Sequence, residues 1–317
     1  MSSPFATKRM LGIDFFAGTA AEAVAHISKD GGLIVAPAAP SFIALQDDPD
    51  YRRAIADADL AIADSGWAVL FWRLLQHETL NRISGLALFK ALLETADARI
   101  PGNLFWILPS EKSKTKTLEF ARVSGCPITD ADCYVAPRYS VGQAFSPSGR
   151  RLRTGSLPAE PINSGKWERL PYTSSLTGTG APPLPEGEGR VRVEKTTTPS
   201  PGIEDPKLVS IIEQRKPKHI IIGIGGGMQD KVGSYLKHQL TYRPGIYCIG
   251  AAPGFVTGDQ IVIPMWADRF FLGWIFRLFA QPRTLFPRFW STRRLPGLIL
   301  RYGRELPRGQ GRMRRGE

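Results

Sequence analysis

The first candidate for chemistry in the sequence is an acidic residue at the end of a predicted buried strand. Asp64 closes the apolar run LAIAD, and Ser65 and Gly66 turn the chain into the predicted helix WAVLFWRLL. Ligands of open α/β sheets bind at the carboxyl ends of the strands. A carboxylate there can act as a general base or hold a sugar hydroxyl. The alternative is that Asp64 only caps the next helix.

A glycine-rich turn follows another predicted strand, HIIIGIG, and leads into a helix. The turn and the start of the helix carry Gly225, Gly226, Gly227, Gln229 and Asp230. Glycine allows close backbone approach, and free N–H groups at a helix N-terminus bind phosphate. The spacing fits neither G-x-G-x-x-G nor a P-loop, because no Ser or Thr follows Lys231. A plain strand-to-helix turn therefore stays an open alternative.

Arginines form the third group of candidates. Arg82, beside a Ser-Gly turn in NRISGLALFK, can clamp a phosphate, although a surface arginine is the alternative. Four more lie among aromatic residues nearer the C-terminus: Arg269, Arg277, Arg283 and Arg288. This mixture suits a membrane interface, but it also suits RNA stacking, or a core helix with a solvated tail.

The charge distribution supports an anionic partner. The 317 residues carry a net charge of +12, and residues 266–317 hold twelve arginines against three acidic residues, a net charge of +9. Such a basic end predicts binding to nucleic acid, a membrane surface or a phosphorylated substrate. Three scattered cysteines and no Cys/His cluster predict a reducing compartment without disulfides or a metal site. We expect no signal peptide and no transmembrane helix.

The elements that position these residues alternate between apolar strands and amphipathic helices. This pattern predicts an α/β fold: a Rossmann-like parallel sheet with helices on both faces, plus a basic, aromatic-rich helical C-terminal appendage. We expect one strand over 10–15, a helix over 20–30 with a Thr19–Glu22 capping box, and a Pro-rich turn after the strand LIVAP.

The domain organisation follows from a change in composition. Residues 141–201 contain 31 Pro, Gly, Ser or Thr residues in 61 positions, which predicts a disordered insertion. We predict a first part of the α/β domain over 1–140, a second part over 202–265 and the appendage over 266–317.

Several strings, in this order, resemble the WecG/TagA/CpsF family of glycosyltransferases. They are YRRAIADADLAIADSGWAVL, RISGLALFKALLE, KPKHIIIGIGGGMQDKVGSYLK, YCIGAAPGFVTGDQ and the tail from WADRFFLGW to YGRELP. The resemblance implies a bacterial, inverting transferase that needs no metal or other cofactor. It would move N-acetylmannosamine or a related hexose from a UDP-sugar to a polyprenyl-diphosphate-linked acceptor for cell-surface polysaccharide. It would work as a cytoplasmic, peripheral enzyme on an anionic membrane surface.

The resemblance also assigns roles to residues. Asp64 matches the proposed catalytic base, Arg82 the arginine of the RI-G string, and Gln229 with Asp230 the pair near the nucleotide. Ser65, Gly66 and the glycine turn would line the substrate site, and the four tail arginines would neutralise diphosphate charge.

The sequence departs from the family pattern in two places, and the first of them bears on donor recognition. Ala36 and Ala38 stand where many members carry a Thr-x-Asn string, and Ser65 stands where many have glycine.

A nicotinamide-dependent oxidoreductase is one rival function, but FFAGTAAE after the first strand lacks its G-x-G-x-x-G motif. A non-enzymatic RNA- or lipid-binding module is another, although nucleic acid is not the expected partner. A homo-oligomer is compatible with the sequence.

Overall fold

The structure is a computed structural model that describes residues 6–137, 139, 203–257, 290 and 292–308. The whole predicted insertion, 141–201, lies outside these residues, as do the four arginines of the aromatic-rich tail. In the described parts, the predicted α/β fold with a mostly parallel sheet is confirmed.

The strands and helices alternate along the chain as the sequence predicts. The strands are β1 Thr7–Met10, β2 Ile13–Phe16, β3 Gly32–Val35, β4 Leu60–Ala61, β5 Leu104–Leu108, β6 Cys133–Val135, β7 His219–Ile222 and β8 Gly245–Cys248. The helices are α1 Ala20–Asp30, α2 Ala39–Asp47, α3 Pro49–Ala56, α4 Gly66–Gln76, α5 Gly85–Leu93, α6 Glu111–Ser124, α7 Pro206–Arg215, α8 Gly226–Gln239, α9 Ala252–Val256 and α10 Leu295–Tyr302. Short 3-10 turns cover Asp97–Arg99 and Asp130–Asp132.

The sheet has the strand order β1-β2-β4-β3-β8-β7-β5-β6, and every neighbouring pair except β1–β2 is parallel. Successive residues of β3 point to opposite faces, with Leu33 and Val35 in one core and Ile34 in the other. Helices α1, α5 and α9 cover the Ile34 face, and α2, α3, α4, α8 and α10 cover the other face. The sheet is therefore covered on both faces.

The predicted capping box of α1 is confirmed. The Glu22 amide donates to Thr19 Oγ1 at 3.2 Å, and the Thr19 amide donates to Glu22 Oε2 at 2.7 Å. Two of the four N–H groups that a helix N-terminus leaves unpaired are thereby accounted for locally.

The prediction of one strand over 10–15 is wrong, because the chain forms an antiparallel hairpin there. Leu11 and Gly12 make the turn with φ values of 49° and 79°. Two positive φ angles suit the twist of a two-residue hairpin, but leucine gives no sequence signal for it. The amides of Leu11 and Gly12 donate to the carbonyls of Gly303 (2.9 Å) and Arg304 (3.0 Å), so the C-terminal segment stabilises the turn.

The Pro-rich turn expected after β3 is also wrong, because α2 begins at Ala39. Pro40 lies in the first turn of this helix, where its missing N–H breaks no intrahelical bond. Phe42 and Leu45 are buried on the sheet, so tertiary packing stabilises this helix. Pro37 and Pro40 made it hard to predict from the sequence.

The last described helix, α10, belongs to the core of the α/β domain. Leu295 and Ile299 are fully buried, and α10 packs on α4 and α2. Gln76 Nε2 donates to the Ile299 carbonyl at 3.4 Å, and Arg52 Nη2 donates to the Pro307 carbonyl at 2.6 Å. This part of the predicted appendage therefore contributes to the stability of the fold.

The chain segments on either side of the predicted insertion are held together by a shared carboxylate. Tyr134 and Tyr139 both donate to Asp205 Oδ2 at 2.9 Å, and Asp205 is buried. Burial and the nearby carboxylate raise the pKa of Tyr134 to about 12, so its phenol stays a donor at neutral pH. Asp205 also caps α7 through the Leu208 amide. These contacts join the segment before the predicted insertion to the segment after it, and none of them involves a residue of 141–201.

We therefore expect that an eight-residue Gly/Ser linker can replace 141–201 without loss of stability. The free energy of unfolding should stay unchanged or rise by up to about 2 kcal/mol. The reason is that each halving of loop length lowers the entropic cost of closing the loop by about 0.6 kcal/mol. Urea unfolding measures this. The matched control is Tyr139→Phe in the intact chain, which should cost about 1–3 kcal/mol by removing a donor to the buried carboxylate. Loss of cooperative unfolding in the deletion variant would contradict the prediction.

Candidate functional site

The candidate site lies at the carboxyl edge of the sheet, between β3 and β8. The chain leaves β3 towards α2 on one face, and it leaves the adjacent β8 towards α9 on the other. Such a divergence of neighbouring loops opens a crevice where open α/β sheets bind ligands. The polar residues predicted from sequence are arranged around this edge.

Asp64 lies just beyond β4 with one carboxylate oxygen held in place. The Gly85 amide at the start of α5 donates to Asp64 Oδ1 at 2.9 Å, and Asp64 is half-buried. Among the described residues, Oδ2 has no hydrogen-bond partner. Asp64 therefore does assist a helix N-terminus, but that of α5 and not of α4, and its second oxygen is left to accept a proton.

Arg82 is brought to Asp64 from eighteen residues further along the chain. Ala63 and Arg82 form an isolated parallel bridge, and Arg82 Nε donates to the Asp64 carbonyl oxygen at 3.2 Å. The side chain is half-buried. The structure thus brings together the first and third candidates of the sequence, with a cation fixed beside the candidate base.

Ser65 and Gly66 begin α4. Ser65 Oγ accepts from the Ala68 amide at 3.3 Å and so serves as the N-cap, and Gly66 is the first helical residue. Both residues are half-buried. Their observed role is to start α4 directly after Asp64.

The glycine turn leaves the N-terminus of α8 without a side-chain cap. Gly225 and Gly226 have φ values of +69° and +63°, and a Cβ atom on either would meet no heavy atom within 4 Å. Among the described residues, the turn therefore borders open space and keeps uncapped N–H groups at the start of a helix, as a phosphate site requires.

Gln229 and Asp230 are more buried than the sequence suggested. Gln229 is 5% exposed, and its Nε2 donates to the Cys248 carbonyl at 3.2 Å, which ties α8 to the end of β8. The end of β8 also approaches α5, because a Cβ atom on Gly85 would lie 3.2 Å from the Ile249 carbonyl oxygen. The end of β8 thus lies between the glycine turn and the Asp64 region.

Tyr51, on α3, is a residue of this region that sequence reasoning missed. A Cβ atom on Gly227 would come within 2.9 Å of its ring, so the ring packs directly against the glycine turn. Tyr51 Oη, Gln229 Oε1 and Asp230 Oδ1 are buried and lack hydrogen-bond partners within the described ranges.

Burial raises the pKa of both Tyr51 and Asp230 well above their ordinary values. A water molecule or a ligand group next to the glycine turn can form hydrogen bonds with these polar atoms. No local signal identifies Tyr51, since only the α3–α8 packing brings it there.

The fold and site define an α/β protein with a fixed carboxylate, a neighbouring arginine and an uncapped glycine turn at one edge of its sheet. The family model described as "Glycosyl transferase WecG/TagA/CpsF family" matches residues 8–115 and 189–311. The chain belongs to this family, and the resemblance is confirmed over most of its length.

The matched ranges include Asp64, Arg82 and the glycine turn, and the unmatched range 116–188 covers most of the predicted insertion. Members of the family are glycosyltransferases, and the family indicates a role in cell-surface polysaccharide biosynthesis. No curated protein matches the chain. Within the part of the chain that the structure describes, no helix has the length and apolar character needed to span a membrane.

Proposed function

We propose that the protein is an inverting glycosyltransferase that moves N-acetylmannosamine or a related hexose from a UDP-sugar to a polyprenyl-diphosphate-linked acceptor. In this proposal it is a peripheral enzyme on the cytoplasmic face of the plasma membrane. The observation that carries the proposal is the state of Asp64: one oxygen is fixed by the Gly85 amide, and the other has no partner among the described residues. A carboxylate held in this way is suited to take a proton from an attacking hydroxyl.

The proposed reaction is a single in-line displacement. Asp64 Oδ2 accepts the proton of the acceptor hydroxyl as its oxygen bonds to the anomeric carbon of the donor sugar. The bond between that carbon and the diphosphate oxygen breaks on the opposite side, and UDP leaves with the electron pair. The configuration at the anomeric carbon is therefore inverted.

The departing diphosphate gains negative charge, which must be neutralised. In the proposal Arg82 and the uncapped N–H groups of α8 provide part of this stabilisation. The rest is assigned to the tail arginines outside the described residues: Arg269, Arg277, Arg283 and Arg288. The proposal thus assigns neutralisation of the diphosphate charge to arginine side chains and to backbone dipoles.

Donor choice is where this chain departs from the family pattern. Ala38 is the N-cap of α2 and offers no side-chain hydrogen bond, and Ala36 is buried at the end of β3. Neither alanine can replace the side-chain hydrogen bonds that a polar pair at these positions would offer. We therefore expect donor recognition to depend on backbone groups of this loop.

The test is a screen of UDP-sugars with a polyprenyl-diphosphate-linked sugar acceptor, following both UDP release and label transfer. We expect acceptor-dependent transfer from one UDP-sugar. No transfer from any donor would overturn the proposal. Quenching of nicotinamide cofactor fluorescence would then favour the oxidoreductase, and steeply salt-dependent RNA binding would favour the binding module.

A further inference from the structure

The glycine turn at the start of α8 is supported from its inner side by the ring of Tyr51. A Cβ atom on Gly227 would lie 2.9 Å from Cδ2 and 3.1 Å from Cε2 of that ring. Apart from neighbouring residues of α8, the three nearest heavy atoms to this position all belong to Tyr51. Cβ atoms on Gly225 and Gly226 would meet nothing within 4 Å. Among the described residues, Tyr51 is therefore the side chain against which the turn packs.

Glycine is required in this turn for two different reasons. Gly225 and Gly226 have positive φ angles, a backbone conformation that favours glycine. Gly227, the second residue of α8, does not have a positive φ angle, and in a helix alanine is normally more stable than glycine. The backbone thus gives no reason for glycine at 227. The reason is space, because the Tyr51 ring occupies the place of a side chain.

Tyr51 is fixed in position through both its backbone and its ring. Its amide donates to Asp48 Oδ1 at 3.0 Å, and Asp48 Oδ2 pairs with Lys231 Nζ at 2.6 Å. Lys231 follows Gly227 by four residues, so both lie on the face of α8 that packs on α3. The ring is 1% exposed, and a close-packed interior leaves it no room to shift. A group added at Gly227 would therefore displace the turn and not the ring.

Buried polar atoms beside the ring indicate a bound group at this place. Tyr51 Oη, Gln229 Oε1 and Asp230 Oδ1 have no hydrogen-bond partner within the described ranges. A Cβ atom on Gly250 would lie 3.1 Å from Gln229 Oε1, so this oxygen is next to the turn after β8, at the carboxyl edge of the sheet. Unpartnered buried polar atoms are uncommon in native proteins, and a bound water or ligand is a usual explanation. This observation is independent of the uncapped helix N-terminus.

We propose that Tyr51 is a positioning residue for donor binding. Its ring holds the glycine turn where the free N–H groups of the first turn of α8 meet the diphosphate of the donor. Hydrogen bonds from N–H groups are effective only within about 2.7–3.2 Å, so a small displacement of the turn weakens several of them together. Tyr51 acts through the turn and does not itself contact the donor diphosphate. The inference rests on the proposed function for the identity of the donor.

The test is calorimetric titration of the full-length protein with UDP, at a temperature where thermal unfolding shows every variant to be folded. Gly227→Ala should raise the Kd for UDP at least about tenfold, because the added Cβ pushes the turn away from the ring. Tyr51→Leu should raise it at least about threefold, because the turn loses its support. The double variant Tyr51→Leu/Gly227→Ala should return to within about threefold of the wild type, since leucine leaves room for the Cβ.

Two controls separate positioning from general stability. Tyr51→Phe keeps the ring and should bind UDP within about twofold of the wild type. Leu236→Ala removes a fully buried side chain of the same helix, nine residues after Gly227. This variant should unfold more easily and still bind UDP like the wild type.

A double variant that binds UDP no better than Gly227→Ala would overturn the inference, because a Cβ that blocks the donor directly is not rescued by a change at Tyr51. Wild-type affinity in Tyr51→Leu would overturn it as well. In both cases the wild-type protein still binds UDP, so the proposed function stands. A wild-type protein that binds no UDP would instead overturn the proposed function, and the role of Tyr51 with it.

Discussion

Replacing Asp64 with asparagine should reduce kcat for sugar transfer by about 10²–10⁴-fold, the usual contribution of a positioned general base. Asparagine keeps an oxygen that can accept from the Gly85 amide, so the start of α5 should stay intact. The change therefore removes proton acceptance without removing the structural contact. The measurement is transfer at saturating donor and acceptor, with thermal unfolding alongside.

The matched control is Asp64→Ala, which removes both functions of the side chain. This variant should lose activity to the same extent and should also unfold more easily, by about 0.5–2 kcal/mol, the usual cost of losing a helix cap. An asparagine variant that turns over like the wild type would show that Asp64 is not the base. Asp64 would then be only the support of α5 that its hydrogen bond describes.

Replacing Ile299 with alanine should destabilise the protein by about 2–5 kcal/mol, the range for large-to-small changes in a core. Ile299 is fully buried between α10 and the rest of the domain, although it belongs to the stretch that composition alone marks as an appendage. Urea unfolding measures the loss. The matched control is its neighbour Leu300→Ala, which is 64% exposed and should change stability by no more than about 0.5 kcal/mol.

Equal stabilities of the two variants would contradict the placement of α10 in the core. The prediction also affects how membrane binding is tested. A truncation after Gly258 removes α10 along with the aromatic-rich tail, so a loss of lipid binding in that variant would coincide with a loss of folding.

The sequence by itself determined the class of fold and the edge of the sheet where the candidate residues lie. Alternating apolar strands and amphipathic helices require a parallel sheet covered on both faces. Asp64 lies just beyond the end of β4, and strand ends share one edge, so its placement needed no tertiary information. The capping box of α1 could be predicted from the sequence as well, because its two residues are only three positions apart.

Only the tertiary structure decided which groups meet at that edge. The contact of Asp64 with Arg82 spans eighteen residues and that with Gly85 twenty-one, and the packing of Tyr51 on Gly227 joins α3 to α8. The hairpin at Leu11 and the burial of α10 likewise depend on contacts between the two ends of the described chain. Local propensity does not encode such contacts, because their stabilisation comes from packing and hydrogen bonds between segments that are distant in sequence. The tertiary structure thereby gave Asp64 a fixed oxygen and a neighbouring cation, and it placed α10, a helix within the predicted appendage, in the core.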